Sequence, residues 1–189
     1  MDKYQGLKLI ELLDLPHPDW EFIRSSTELK KFYEKEAKYG WTVRSCLPGS
    51  EEVLYLPHKN WAKKEEVPNI IDEFQRKLNG RAIFVVYPSW EFVKSGNILI
   101  SENEITLEGV YGFLGSLLRG EKAPDATYTS DRFNISFKLK NGDPNFLDTR
   151  YKRRIERVLV NVTTHNILLE WSITTEDELF FHDLIEIKE

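Results

Sequence analysis

Glu170 and Asp183 stand in the last β-prone stretch of the chain, and their types and spacing are the clearest sign of chemistry in it. Ile167, Leu169, Trp171 and Ile173 alternate with Leu168, Glu170, Ser172 and Thr174, the two-residue period of a strand. A second β-prone run, Leu179 to Ile187, follows the polar turn Thr175-Glu176-Asp177-Glu178. A hairpin closed symmetrically between Glu176 and Asp177 pairs residues whose numbers sum to 353, so Glu170 faces Asp183 while Trp171 and Phe180 lie on the opposite, core-packed face. Directly opposed residues of antiparallel strands have Cβ atoms about 4.5–5.5 Å apart. Two carboxylates that close repel unless a cation lies between them, and magnesium is commonly held by one or two carboxylates together with phosphate oxygens. The ordinary alternative is an acidic pair that faces solvent.

The elements that must position this hairpin are mixed. Gly6 to Leu15 reads as a short helix stopped by Pro16-His17-Pro18, and Ser26 to Tyr39 as a second helix closed by Gly40. Trp41 to Cys46 and Val53 to Leu56 read as strands around the turn Leu47-Pro48-Gly49-Ser50. Val67 to Leu78 is amphipathic, with Ile70, Ile71, Phe74 and Leu78 on one stripe, and Asn79-Gly80 ends it. Ala82 to Tyr87 has the unbroken apolar pattern of a buried strand, closed by Pro88. Asn97 to Ile100 and Ile105 to Glu108 form a hairpin, Phe113 to Leu118 a brief helix, and Phe133 to Leu139 a strand before the turn Asn141-Gly142-Asp143. Hairpins dominate and strands do not alternate regularly with helices, so the expected class is α+β with a mainly antiparallel sheet and flanking helices.

With 189 residues the chain supports one sizeable core, read as a single unit with two small lobes, 1–80 and 81–189. No apolar run is long enough to span a bilayer and Met1-Asp2-Lys3-Tyr4 lacks a signal peptide's apolar segment, so a cytoplasmic protein without a membrane partner is expected. Cys46 is the single cysteine, which excludes an internal disulfide and a zinc cluster built on cysteines. The four histidines, 17, 58, 165 and 182, show no ligand spacing and read as satisfied or exposed side chains. A net charge of −5 gives no general reason to bind nucleic acid. The basic run Arg150 to Arg157 opens a helix with Ile155, Val158, Leu159 and Val162 at helical spacing, so its charges read as a solvated face.

The chain has no phosphate loop of the Walker type, no dinucleotide glycine fingerprint and no nucleophile elbow. Three segments nevertheless fall in a known order. Trp41-Thr42-Val43-Arg44-Ser45-Cys46 resembles the Val-Arg-Ser-Ser strand of the nucleotide-binding domain of phosphoenolpyruvate synthase and pyruvate phosphate dikinase, within the ATP-grasp superfamily. Thr106 to Gly115, followed by Leu118 to Asp125, resembles that domain's acidic strand, glycine-rich segment and Pro-Asp. Leu168-Leu169-Glu170-Trp171 with Leu179-Phe180-Phe181-His182-Asp183 resembles its terminal hairpin. Gly6-Leu7-Lys8 and Leu15-Pro16-His17-Pro18 are fainter echoes of its Gly-Gly-Lys helix and Pro-Val-Pro entry.

The resemblance implies a reduced, stand-alone ATP-grasp-like unit that binds ATP with Mg2+ in a cleft between a small N-terminal lobe and the sheet carrying Glu108, Glu170 and Asp183. It implies that Arg44 and Lys8 contact phosphates, Arg44 with the catalytic role, that Glu170 and Asp183 hold the metal, and that adenine lies near Tyr87-Pro88-Ser89-Trp90. The implied reaction is a kinase-type phosphoryl transfer from ATP, with a histidine on a separate phosphohistidine-carrying partner as acceptor. The residues also admit plainer roles: an ordinary ion pair for Arg44, a solvated helix lysine for Lys8, and for Glu108 an acceptor of amides from the Gly109–Gly115 segment. Two departures favour a binding module without turnover. Ile185 stands where the family has Arg, and the segment after Arg44, like that after Ser95-Gly96, is reduced.

Overall fold

The computed structural model describes residues 1–29, 32–49, 56–118, 120 and 122–187. Their contacts divide into two units, the first made of Met1–Lys8 and His17–Glu91 and the second of Leu9–Pro16 and Phe92–Glu189. Strands pair antiparallel throughout, and helices flank two separate sheets, which makes the class α+β. No helix is long and apolar enough to cross a membrane among the described residues.

Helix α1, Lys3–Leu12, begins earlier and ends earlier than the sequence pattern suggests. Asp2 and Gln5 start it by a reciprocal cap, Asp2 Oδ1 accepting from Gln5 N at 2.9 Å and Gln5 Oε1 from Asp2 N at 3.0 Å. It ends at Asp14, whose φ is 52°, with Leu15 N donating to Ile10 O at 3.2 Å.

In the first unit, β1 (Glu21–Ile23), β2 (Trp41–Cys46), β3 (His58–Ala62) and β4 (Ile83–Pro88) form a sheet in the order β1-β4-β2-β3. Trp41, Val43, Ala62, Phe84 and Val86 pack with Val67, Ile71 and Phe74 of α2, Val67–Lys77. Ser26 to Tyr39 is not the expected helix: the described residues hold two 3₁₀ turns, Ser26–Glu28 and Phe32–Glu34. Leu29 and Phe32 are both buried, so tertiary packing overrides helical propensity here. The expected strand Val53–Leu56 lies almost wholly outside the described residues.

In the second unit, β5 (Phe92–Ile100), β6 (Glu104–Tyr111), β7 (Ala126–Asp131), β8 (Lys138–Gly142), β9 (Ile167–Thr174) and β10 (Leu179–Glu186) form a six-stranded sheet. Its order is β10-β9-β5-β6-β7-β8. The expected strand Phe133–Leu139 is replaced by β7 and β8. The Asp131 carboxylate accepts from Phe133 N at 2.8 Å and Asn134 N at 2.9 Å, which folds Asp131–Asn134 into a turn and leaves Phe133 exposed. Gly96 is required where β5 meets β6, because a Cβ there would lie 1.9 Å from Glu108 O.

Two helices complete this unit, the short α3, Gly115–Leu118, and α4, Thr149–Leu159. Asp148 caps α4 by accepting from Tyr151 N. The basic run opening α4 is partly engaged. Arg150 forks onto Asp177 of the β9–β10 turn at 2.6 and 3.0 Å, Tyr151 donates to the same carboxylate, and Arg154 donates to Asp177 O at 2.8 Å. These bonds hold the Asp177 carboxyl below the usual carboxylate range, the Tyr151 hydrogen bond first.

Candidate functional site

Strand alternation gives the six-stranded sheet two unlike faces. Ile98, Leu107, Leu169 and Trp171 share one face and are each 0% exposed. On the other face a polar row crosses five strands, because Asp183 faces Glu170, Glu170 faces Asn97, Asn97 faces Glu108 and Glu108 faces Thr127. The structure therefore brings Glu108, Glu170 and Asp183 onto one face. Asn97 is a member of the row that the sequence pattern does not single out.

Glu170 and Asp183 face each other through two irregularities that cancel. Thr174 N donates to Glu178 O at 2.9 Å, and Asp177 at φ 66° closes a turn of three residues rather than the symmetric one expected. Facing numbers consequently sum to 352 from Leu179 to Phe181. A bulge at His182 then raises the sum to 353, which returns Asp183 to Glu170. The same offset corrects the expectation for Phe180, which lies opposite Ser172 on the polar-row face, while Trp171 is fully buried in the core as expected.

The bulge sets a histidine into the site. His182 Nδ1 lies 3.7 Å from Glu170 Oε2, with the two side chains only 9% and 17% exposed. Its scattered position in the sequence conceals this, since one extra residue in a strand has no periodic signature. Asp183 is 4% exposed, and its Oδ1 accepts from Leu184 N at 3.1 Å. Two oxygens on the same face are buried without a hydrogen-bond partner, Asn97 Oδ1 and Ser172 Oγ. Among the described residues no group of three His, Cys, Asp or Glu side chains is preassembled for a metal.

Two amides of the Gly109–Gly115 segment bond away from Glu108. Tyr111 N donates to Asp125 Oδ2 at 2.8 Å and Gly112 N to Val93 O at 2.9 Å. Lys122 pairs with the same Asp125 oxygen at 2.7 Å and holds that carboxyl below its usual range.

The remaining sequence candidates lie in the first unit. Arg44 is half-buried on β2, between Val85 and His58 in register, on the face opposite Trp41 and Val43. The Lys8 ammonium lies 4.2 Å from the centre of the Phe22 ring. In the segment Tyr87-Pro88-Ser89-Trp90, the Tyr87 and Trp90 rings stack at 5.5 Å. Ser89 is committed internally: its Oγ lies 2.7 Å from Thr42 Oγ1 and accepts from Trp61 N at 3.2 Å, and its N donates to Gly40 O at 2.8 Å.

No family model matches the chain, and no curated protein does. Solved structures of ATP-grasp enzymes do match its fold. One is the dinucleotide-forming acetyl-coenzyme A synthetase 1 of Ca. Korarchaeum cryptofilum, in complex with coenzyme A, Ca-AMPCP and HgCl+, at TM-score 0.59 and 13% identity, covering 100% of this chain and 93% of that one. Another is the N5-carboxyaminoimidazole synthase of Aspergillus clavatus in complex with ADP and 5-aminoimidazole ribonucleotide, at TM-score 0.55 and 8% identity, covering 100% of this chain and 44% of that one. The D-alanine-D-alanine ligase of Coxiella burnetii matches at TM-score 0.55 and 10% identity, over 97% of this chain and 46% of that one. The chain thus spans most of the first of these but less than half of the other two.

Proposed function

We propose that the chain binds a nucleoside triphosphate together with a divalent ion, ATP with Mg2+ as the reference pair, and that Glu170 and Asp183 are the ion's protein ligands. The observation that carries this reading is the polar row Asp183-Glu170-Asn97-Glu108 with the unsatisfied buried oxygens of Asn97 and Ser172 on its face. Shielding these two oxygens from water without a donor costs free energy, and like-charged carboxylates repel. A divalent ion offsets both, and phosphate oxygens complete its coordination. The donor set fits, since carboxylates and an amide oxygen suit a hard cation. When bound, the ion would neutralise charge on the phosphates. Support comes from the fold, shared with synthetases that were solved with ADP or AMPCP.

Within this reading Arg44 supplies a rigid fork for phosphate oxygens, Lys8 a movable charge, Glu108 a further oxygen, and the segment Pro88-Ser89-Trp90 an aromatic border for the base. The narrower proposal is phosphoryl transfer of the kind carried out by the nucleotide-binding domain of phosphoenolpyruvate synthase, to a histidine of a separate protein in the cytoplasm. Its competitor is a nucleotide-binding module without turnover. The half-buried Ile185 in place of the family's Arg favours that competitor.

Calorimetric titration of ATP with and without the metal, run beside a γ-phosphate release and transfer assay, tests all of this. Metal-dependent binding with phosphate loss supports phosphoryl transfer, and metal-dependent binding without loss supports the module. No binding of ATP with metal overturns both.

A further inference from the structure

We propose that the divalent site on this sheet is built for a first-row transition ion of the manganese-to-cobalt class rather than for magnesium, with His182 as a nitrogen ligand. The inference rests on the reading of the polar row as a metal and phosphate site. Three observations carry it.

The first is the β10 bulge. Pairing continued from the turn would place His182 opposite Glu170 and Asp183 opposite Leu169, on the core face. The extra residue instead brings both His182 and Asp183 to Glu170, two side chains against one. Bulges re-aim side chains in this way.

The second is distance. Two ligands each about 2.1 Å from one ion stand about 3 Å apart at a right angle and about 4.2 Å apart when opposite. The 3.7 Å between His182 Nδ1 and Glu170 Oε2 falls within that span.

The third is independent of the charged groups. Ser172 Oγ, in a residue 0% exposed, and Asn97 Oδ1 share the face and have no hydrogen-bond partner. Native interiors satisfy such atoms, often with ordered water or an ion.

Imidazole nitrogen is bound more tightly by first-row transition ions than by magnesium, by cobalt and zinc above manganese, whereas a set of oxygens alone suits the harder ion. The ligands are not preassembled as a cluster of three, so closing on the ion turns Asp183 away from Leu184 N, to which its Oδ1 is now bonded at 3.1 Å.

The test uses the full chain loaded with Co2+ alone and observed by proton NMR in water. A histidine bound to Co2+ shows a strongly shifted ring N–H resonance, and burial of His182 slows its exchange. That resonance is expected in the unmodified chain and absent from His182→Gln, with His182→Asn as the second variant should the first not fold. In parallel, competition titration should show the preference for Mn2+ over Mg2+ falling roughly tenfold or more in the variant. Cobalt binding without a shifted imidazole, or a preference the variant leaves unaltered, would overturn the assignment of His182 alone. Failure to bind any of the three metals, with ATP present or absent, would overturn this inference and the metal–nucleotide reading together.

Discussion

The two faces of the six-stranded sheet are made by the same strands and obey different rules. On one, Ile98, Leu107, Leu169 and Trp171 are wholly buried, and the Phe146 ring packs edge-on against Trp171 at 6.5 Å and beside Gly109, where a Cβ would lie 2.3 Å from it. On the other, the same strands carry Asp183, Glu170, Asn97 and Glu108 in a row, with buried oxygens unsatisfied. A face chosen for stability alone would not keep unpaired oxygens from water. The contrast supports the proposal that the polar face carries the site, since sites are where proteins retain groups that weaken the fold.

The largest effect should come from the apolar face. Trp171→Ala removes a fully buried indole and should cost about 3–5 kcal/mol in urea unfolding. A loss below about 1 kcal/mol would mean that this face is not the core.

Ile185→Arg, on the polar-row face two residues beyond Asp183, should strengthen ATP affinity by at most about 1.5–3 kcal/mol, the range for a hydrogen bond to a charged group. Unfolding that ATP does not rescue would show that the face has been filled in.

Ser172→Ala should act in the opposite sense to Trp171→Ala, raising stability by about 1 kcal/mol because a buried hydroxyl without a partner is removed. If this variant is instead destabilised, the hydroxyl has a structural partner and the contrast between the faces weakens.

The smallest effect is a pH dependence at the margin of the core face. The Tyr111 hydroxyl donates to Asp143 Oδ2 at 2.6 Å, which with burial pushes its pKa from 10.0 up to about 12. A group whose pKa is raised on folding contributes stability fully present below pH 10.0 and lost as pH rises toward about 12. Spectrophotometric titration should find Tyr111 among the late tyrosines, beside Tyr128 and Tyr151, which burial also raises, and Tyr111→Phe should remove one of them and abolish that part of the alkaline decline. An unchanged titration curve in the variant would contradict the assignment.

The apolar face is legible from the sequence because burial imposes a period: Ile167, Leu169, Trp171 and Ile173 show it directly, and β2, α2 and β4 follow similar signals. β7 is missed because Ala126-Thr127-Tyr128-Thr129-Ser130-Asp131 alternates small and polar residues, whereas Phe133, which looks like a strand residue, is 80% exposed in a turn. On the polar face the pairing of Glu170 with Asp183 is legible, but the place of Phe180 is not, because the turn and the bulge shift the register in compensating steps. His182 and Asn97 carry no spacing signal. They join the proposed site only through a bulge and through cross-strand register, which are tertiary facts.

The most direct measurement is thermal unfolding of the full chain with ATP, with and without Mg2+ or Mn2+, in the unmodified protein and in a variant carrying both Glu170→Gln and Asp183→Asn. At about 100 times the dissociation constant, linkage predicts roughly 2.7 kcal/mol of added stability, a rise of roughly 5–11 °C for a chain of this size. The polar row predicts that this rise requires the metal and disappears in the double variant. No rise at millimolar ATP with metal, or an equal rise in the double variant, would contradict the assignment of this face as the metal and nucleotide site.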